Sequence, residues 1–198
     1  GRYQLEGLKL DFLRPFLPNV EQLRATLNGD GQLSGVLRAP VATGLLTLRD
    51  GLVSGPNLPI SLEQLEADIA IDGQRLNIDG RWRSGEKGEG ALQGTVGWAP
   101  LDVALQLNGH DLPVTVEPYA RVLVAPALDI SLSGGNLHVG GELAVPEGDI
   151  VVRELPASAV RVSPDTVIVG QQAPAVTEEL GITARVRLII GDQLRLNA

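Results

Sequence analysis

The stretch that decides the fold is NLHVGGELAVPEGDIVVRELPASAVRVSPDTVIVG, residues 136–170. Its first limb, from Leu137 to Val145, carries an apolar or glycine residue at every second position. This alternation has the two-residue period of a half-buried β-strand and not the 3.6-residue period of a helix. The stretch therefore predicts a strand with one apolar face.

A bulge is predicted where this alternation changes phase. Apolar residues resume at Ile150 and Val152, out of phase with Val145. Pro146 removes a backbone donor and Gly148 permits unusual backbone angles, so one extra residue can be accommodated there. Such a bulge would keep both apolar sets on one face, because a one-residue slip otherwise turns every side chain over.

Composition indicates an all-β chain without bulky core residues. The 198 residues include 24 Gly and 13 Pro, and hydrophobic residues make up 43% but aromatic residues only 3%. The apolar content is therefore mostly aliphatic, and its alternation between turn residues is typical of all-β proteins. We expect one continuous β-domain over residues 1–198, a fragment of a larger protein because the sequence ends in mid-strand.

Charge and cysteine content exclude several function classes. The net charge of −8 and the pI of about 4.7 argue against nucleic-acid binding, which needs a basic face. They also argue against electrostatic docking on anionic lipid headgroups. The absence of cysteine excludes a disulfide framework and a thiol nucleophile. No stretch approaches the ~18 apolar residues of a membrane-spanning helix.

The residue types needed for catalysis or metal binding are sparse. Neither His110 nor His138 has the spacing of a zinc site, and no Ser-His-Asp ordering is evident. Glu147, Asp149 and Glu154 invite comparison with paired glycosidase carboxylates, but we interpret them as solvated charges. We therefore expect no enzyme activity, no cofactor and no metal.

Glycine-containing pairs predict tight turns at three places between alternating runs. Asn-Gly-Asp-Gly at 28–31, Asp50-Gly51 and Gly191-Asp192 tolerate the positive φ angles that hairpin turns need. Each is predicted to join two short strands. In a separate strand predicted from Tyr3 to Leu10, Leu8 is expected on the face opposite Tyr3 and Leu5.

Two segments lack a clear period. The run DFLRPFLPN at 11–19 holds both phenylalanines of the chain. An apolar plug and a plain connecting loop both remain open for it. The run GQQAPAVTEELG at 170–181 is predicted to be a disordered loop. By contrast, SLEQLE at 61–66 begins like a capped helix, but the alternation that follows favours a strand.

The aliphatic stripe allows two interpretations. It could form the filled core of a sandwich or barrel, or it could line one face of a folded sheet whose interior is left vacant. Scarce aromatic residues favour the second interpretation, because aromatics are the usual bulky core fillers. Gly80, Gly94 and Gly141 favour it too, since they stand in the apolar register where a filled core would prefer side chains.

Two segments carry a resemblance to a known family. The first is ELAVPEGDIVVRELP at 142–156, followed by SAV at 158–160 and SPD at 163–165; the second is GWAPL at 97–101 with LNGHDLPV at 107–114. In order and spacing they resemble the C-terminal region of the TamB family of Gram-negative bacteria. The resemblance covers roughly residues 90 to 170. The rest of the chain is similar in its general character but not in specific motifs.

The resemblance implies a fold, a location and partners. TamB proteins are similar to AsmA-like and bridge-like lipid carriers, which implies an elongated, folded-over (taco-like) all-β sheet with a hydrophobic concave interior. It implies a place in the periplasm, within a protein anchored in the inner membrane. It also implies two kinds of partner, phospholipid acyl chains and TamA, an outer-membrane barrel.

The residues and the resemblance together give a first functional hypothesis, a non-enzymatic groove that shields phospholipid acyl chains between the inner and outer membranes. The alternative is an assembly or translocation factor for outer-membrane proteins and autotransporters, acting with TamA and holding nascent strands. A polysaccharide-active β-helix is disfavoured, because it would need aromatic platforms and clustered carboxylates. The predicted groove lining is Leu65, Ile69, Ile71, Leu76, Ile78, Leu92, Val96, Val103, Leu105, Leu107, Leu137, Val139, Leu143, Val145, Ile150, Val152, Val186, Leu188 and Ile190.

Overall fold

The computed structural model describes residues 1–36, 39–151 and 181–197. Eleven strands and one 3₁₀ helix account for nearly all of these residues. The helix spans Asp11–Phe16. The strands are β1 (Arg2–Lys9), β2 (Gln22–Val36), β3 (Ala39–Ser54), β4 (Leu62–Gly73), β5 (Arg75–Ser84), β6 (Gly88–Trp98), β7 (Leu101–His110), β8 (Leu112–Val116), β9 (Ala120–Ser133), β10 (Asn136–Val151) and β11 (Gly181–Asn197).

The strands form one sheet, built mainly as an antiparallel meander. Their order is β1-β2-β3-β4-β5-β6-β7-β9-β10-β11, with β8 pairing β9 where β7 has ended. β11 is parallel to β10, whereas the other pairs are antiparallel. β1 and β11 are the two edges, nine strand spacings or about 43 Å apart along the sheet. Within the described ranges there is no second sheet to form a sandwich.

The pairing register gathers alternating apolar residues on one face, which we call the inner face. One row crosses nine strands from β2 to β11 through cross-strand partners. It consists of Gly29, Leu46, Ile69, Ile78, Gly94, Leu105, Ile130, Val139 and Ala184. Residues one position along each strand point to the opposite, outer face. The outer face therefore receives the polar half of each alternating run.

Local irregularities recur in successive strands and bend them. The register shifts beside Gly7, Asp50, Gln64 and Pro146, and the chain kinks at Asp111 between β7 and β8. Three of these are non-glycine residues with positive φ: 54° at Asp50, 48° at Gln64 and 49° at Asp111. Bulges increase the local bend and twist of a strand.

Two hydrogen bonds join parts of the sheet that are not neighbours. The Trp98 Nε1 donates to the Pro40 carbonyl oxygen at 3.3 Å, although their strands are roughly 14 Å apart in a flat sheet. The backbone N–H of Thr115 in β8 donates to the Pro59 carbonyl oxygen, in the β3–β4 connection, at 2.8 Å. Such contacts require a curved sheet. The predicted fold class, an all-β folded-over sheet with a concave apolar interior, is confirmed.

Other local expectations are met. The predicted bulge is confirmed, because β10 gains one residue relative to β9 between Ala144 and Glu147. This keeps Ile150 on the inner face with Val145. The segment from 62 is a strand and not a helix. Val152 and most of the predicted loop at 170–181 lie outside the described residues.

The predicted hairpin at 28–31 is wrong, because β2 runs straight through it. The glycines of this run do not form a turn; they leave space for neighbouring side chains. A Cβ on Gly29 would overlap the Leu46 side chain, and a Cβ on Gly31 would overlap the ring of Tyr3. Glycine here lets neighbouring inner-face side chains lie flat against the backbone.

The other two predicted turns are also wrong. Asp50-Gly51 is a bulge within β3, with Asp50 at φ 54°. β11 continues through Gly191, which lies so close to the Pro146 backbone that no side chain fits. Leu8 was predicted on the face opposite Leu5, but the bulge beside Gly7 returns it to the same face as Leu5.

The 3₁₀ helix answers the question left open for residues 11–19. It has no buried residue, so the segment connects β1 to β2 and plugs nothing. More generally, buried apolar side chains are few in the described part of the chain. They are Ala25, Leu112 and Val145. A single-layered sheet has this pattern of burial.

Candidate functional site: an apolar trough

The inner face forms an aliphatic trough. Two further rows flank the one described above. One passes through Ile71, Leu76, Val96, Val103, Leu132, Leu137 and Ile182, and the other through Leu48, Ala67, Gly80, Leu92, Leu107, Leu128, Gly141 and Val186. From β3 to β11 these three rows carry no charged side chain. Most of the side chains are half-buried, since neighbours on the sheet cover their flanks.

Eighteen of the nineteen predicted lining residues lie in the described ranges, and the register brings them onto this one face. Those from β4 to β10 are half-buried, apart from Val145, which is 8% exposed. Those on the edge strand β11 are open, with Val186, Leu188 and Ile190 exposed by 40%, 57% and 60%. The nineteenth, Val152, is not described. The trough is therefore shielded in the middle and open at its β11 edge.

Several inner-face residues were missed from the sequence. Leu46, Leu48, Leu128, Ile130 and Leu132 occupy the same rows as the predicted set. The signal that finds them is the same two-residue alternation. In β9 it was recognised as a strand but not assigned to the lining, and in β3 the supposed turn at Asp50-Gly51 obscured it.

The glycines that suggested a vacant interior have a different explanation at two of three positions. Gly94 and Gly141 have φ angles of 146° and 116°, and a Cβ on either would overlap a carbonyl oxygen of the next strand. Backbone geometry requires glycine there. Gly80 differs, because its nearest neighbour would lie 3.7 Å from an added Cβ. Gly94 and Gly141 therefore give no support to the interpretation of a vacant interior.

Aromatic side chains are placed against glycines on the inner face. Trp82 covers Gly90, and Tyr3 covers Gly31 and Gly44. The Trp82 Nε1 and the Tyr3 hydroxyl are buried without a hydrogen-bond partner. These two polar atoms are therefore buried against the sheet, and the exposed surface of the inner face stays apolar.

The outer face carries the charges as cross-strand ion pairs. Arg49 contacts Asp68 at 2.5 Å, and Arg81 contacts Glu66 at 2.6 Å. Arg81 donates two hydrogen bonds to the Glu66 carboxylate, and these raise the pKa of Arg81 above its ordinary value. His110 lies 3.3 Å from the Glu89 carboxylate, in water. Opposite charges on facing residues also suit the strand register.

The other groups considered for chemistry are dispersed. Glu147, Asp149 and His138 are exposed on the polar face of β10, and Glu154 lies outside the described ranges. The residues that the structure describes contain no group of three or more His, Cys, Asp or Glu able to hold a metal ion. Nor does any described helix have the length and apolarity needed to cross a membrane. What the arrangement offers is an apolar surface.

Comparison with known proteins points to one family. The profile of the TamB C-terminal domain matches residues 77–198. The chain is also similar to the translocation and assembly module subunit TamB of Haemophilus influenzae, with 20% identity over 204 residues. That match covers 100% of this chain but only 16% of the relative's length. No solved structure matches the chain.

Proposed function

The chain belongs to the TamB C-terminal domain family, and from this premise we propose that its trough shelters phospholipid acyl chains in transit between the inner and outer membranes. The observation that carries the proposal is the uncharged aliphatic inner face of a single-layered sheet. Its side chains are half-buried by their neighbours, yet no second layer of described residues covers them.

The physical need for such a trough is large. Each acyl CH₂ group exposed to water costs about 0.8 kcal/mol, so a phospholipid leaves a bilayer slowly without help. Leu, Val and Ile walls remove that cost while the headgroup stays in water. Because aliphatic contacts are not directional, a lipid can move along the wall from row to row. This function is non-enzymatic and needs no cofactor.

Location and partners follow from the family and form part of the proposal. We place the chain in the periplasm, as a segment of a longer protein anchored in the inner membrane. We infer that this longer protein acts with the outer-membrane barrel TamA. The name of the Haemophilus relative, a subunit of a translocation and assembly module, agrees with such a partnership.

The β11 edge favours a second candidate function. This strand runs for 17 residues, pairs β10 on one side, and has Ile182 exposed by 68% and Leu188 by 57%. Within the described ranges no strand pairs with the other edge of β11, and such an edge beside apolar side chains suits a nascent outer-membrane strand, which could add to the sheet. In that case the chain would assist assembly or translocation of outer-membrane proteins and autotransporters.

Crosslinking separates the two functions. A photoreactive residue at Val139, on the inner face, would be activated in cells. The same residue at His138, one position along and on the outer face, is the control. Phospholipid adducts at Val139 and not at His138 support lipid transport. Polypeptide adducts without lipid would instead favour the assembly function.

A further inference from the structure

The connection between β1 and β2 exposes an unusual amount of apolar surface. Phe12 and Phe16 are 57% and 77% exposed, and Leu13 and Leu17 are 37% and 41% exposed. These are both phenylalanines of a chain with 3% aromatic residues. None of the residues in the 3₁₀ helix is buried, so the segment adds little to the packing of the sheet. We call residues 11–18 the Phe tip.

The Phe tip is held firmly at both ends. On its N-terminal side, the backbone N–H of Leu10 donates to the Ala25 carbonyl at 3.0 Å. On its C-terminal side, Val20 donates to Leu17 at 3.1 Å and Glu21 to Ser54 at 2.9 Å. Pro15 and Pro18 further restrict the backbone. The apolar side chains are thus presented in a fixed arrangement, which lowers the entropy lost on binding.

The Phe tip is continuous with the trough. β1 ends at Lys9, one residue after Leu8, which pairs with Leu27 on the inner face. Ala25, which accepts the hydrogen bond from Leu10, is among the few buried apolar residues. An apolar molecule at the tip therefore lies beside the inner-face residues of β1 and β2.

Charge decides which apolar partner fits. Within the 3₁₀ helix, Asp11 and Arg14 cancel, so the exposed segment is neutral. The chain as a whole carries −8, which opposes approach to an anionic surface. Side chains of Phe and Leu beside a neutral backbone suit the boundary between headgroups and acyl chains of a zwitterionic bilayer.

We propose that the Phe tip inserts into a zwitterionic lipid surface and so brings the inner face at β1 and β2 against a bilayer. This inference rests on the proposed lipid function but concerns a separate contact. Acyl chains would then pass from the bilayer to Leu8 and Leu27 without crossing water. The occupant of the tip is thus a phosphatidylcholine-like membrane surface, and neither a second copy of the chain nor another protein.

Because the chain has no cysteine, single labels can test the contact directly. Phe16→Cys would carry an environment-sensitive dye, and the 198-residue chain would be mixed with phosphatidylcholine vesicles. The control label is at Asn136, which is exposed beside the β9–β10 turn at the opposite ends of the strands. At position 16 we expect the dye emission to shift to the blue and to be quenched by acyl-chain spin labels. At position 136 we expect neither the shift nor the quenching.

A second variant measures the strength of the contact. Phe12→Asp with Phe16→Asp should lower flotation with phosphatidylcholine vesicles at least tenfold, with an unchanged circular dichroism spectrum. An unshifted dye at position 16, or a shift with anionic vesicles alone, would overturn the inference. A shift that grows with protein concentration in the absence of vesicles would overturn it too, in favour of a second copy.

The two proposals fail in different ways. If the dye shows no membrane contact but acyl-labelled lipid still enters the trough, the tip inference falls and the lipid function stands. If the tip inserts but Val139→Arg leaves lipid uptake unchanged, the tip inference stands and the lipid function falls. The tip label does not depend on what the trough holds.

Discussion

Val139 and His138 are consecutive residues on β10, yet they belong to surfaces with opposite properties. Val139 lies in a row of aliphatic residues that crosses the trough from β3 to β11. His138 lies among serine and threonine on the outer face, opposite Ser131 and Thr183. Along a regular strand, successive side chains point to opposite faces of the sheet, so the position of a residue in the strand decides its face. Alternation with a two-residue period therefore specifies which residues form the apolar inner face and which form the solvated outer face.

The largest expected effect comes from breaking this difference between faces. Val139→Arg places a charge in an uncharged row, where the acyl chains of the proposed cargo could not solvate it. We expect transfer of acyl-labelled phospholipid from vesicles to fall at least tenfold, as Leu143→Arg should also cause. His138→Arg, on the outer face, should leave transfer within about twofold of the parent chain.

Circular dichroism of both variants must first show an intact sheet. Unchanged lipid transfer by a folded Val139→Arg chain would contradict the account of the inner face. Equal losses in Val139→Arg and His138→Arg would contradict the distinction between the faces.

The next effect separates two kinds of inner-face glycine. Gly94 has φ 146° and no room for a Cβ beside the Ala104 carbonyl, whereas Gly80 has room for one at 3.7 Å. We expect Gly94→Ala to lower the free energy of unfolding by about 2–3 kcal/mol, through backbone strain and displacement of β7. Gly80→Ala should change it by less than about 0.5 kcal/mol. Urea denaturation measures both, and equal values would show that backbone geometry does not set the difference.

A smaller effect concerns the hydrogen bond that spans the curved sheet. Trp98→Phe removes the donor to Pro40, whereas Trp82→Phe removes an Nε1 that has no partner. The two substitutions lose similar apolar area. We therefore expect Trp98→Phe to be the more destabilising by about 1 kcal/mol. A Trp82→Phe chain less stable than Trp98→Phe would argue against the bond as a support for the curvature.

The smallest effect is expected on the outer face. Asp68→Asn breaks the exposed pair with Arg49 and should cost about 0.2–1 kcal/mol at low ionic strength. Because salt screens exposed charges, the loss should vanish near ~1 M NaCl. Asp129→Asn, on the same face but without an ion pair in the described part of the chain, is the control. A salt-independent loss at position 68 would imply that the pair is less solvated than its exposure suggests.

How far the sequence predicts this molecule can be judged from β10 and β2. In β10, the alternation and the Pro146–Gly148 phase change predict both the strand and its bulge, because each depends on neighbouring residues only. In β2, Asn-Gly-Asp-Gly predicts a turn that does not exist. Glycine is needed at those positions because the side chains of Leu46 and Tyr3, from other strands, occupy the space of a Cβ. The local sequence cannot distinguish a glycine that forms a turn from a glycine that makes room for a side chain of another strand.

For the candidate site, parity predicts which residues share a face but not how that face is covered. The curvature depends on bulges at Asp50 and Gln64 and on the contact between Trp98 and Pro40, none of which has a periodic signature. Gly94 and Gly141 illustrate the limit. Their place in the apolar register suggests space for a vacant interior, but their backbone conformation accounts for them.

The central claim is that the inner face is open and takes acyl chains, and native mass spectrometry tests it most directly. The purified chain would be analysed after incubation with phospholipid vesicles, beside the Val139→Arg chain. The account predicts additional masses of bound phospholipid for the parent chain and their loss in the variant. A parent chain observed only at its own mass, folded and free of lipid, would contradict it.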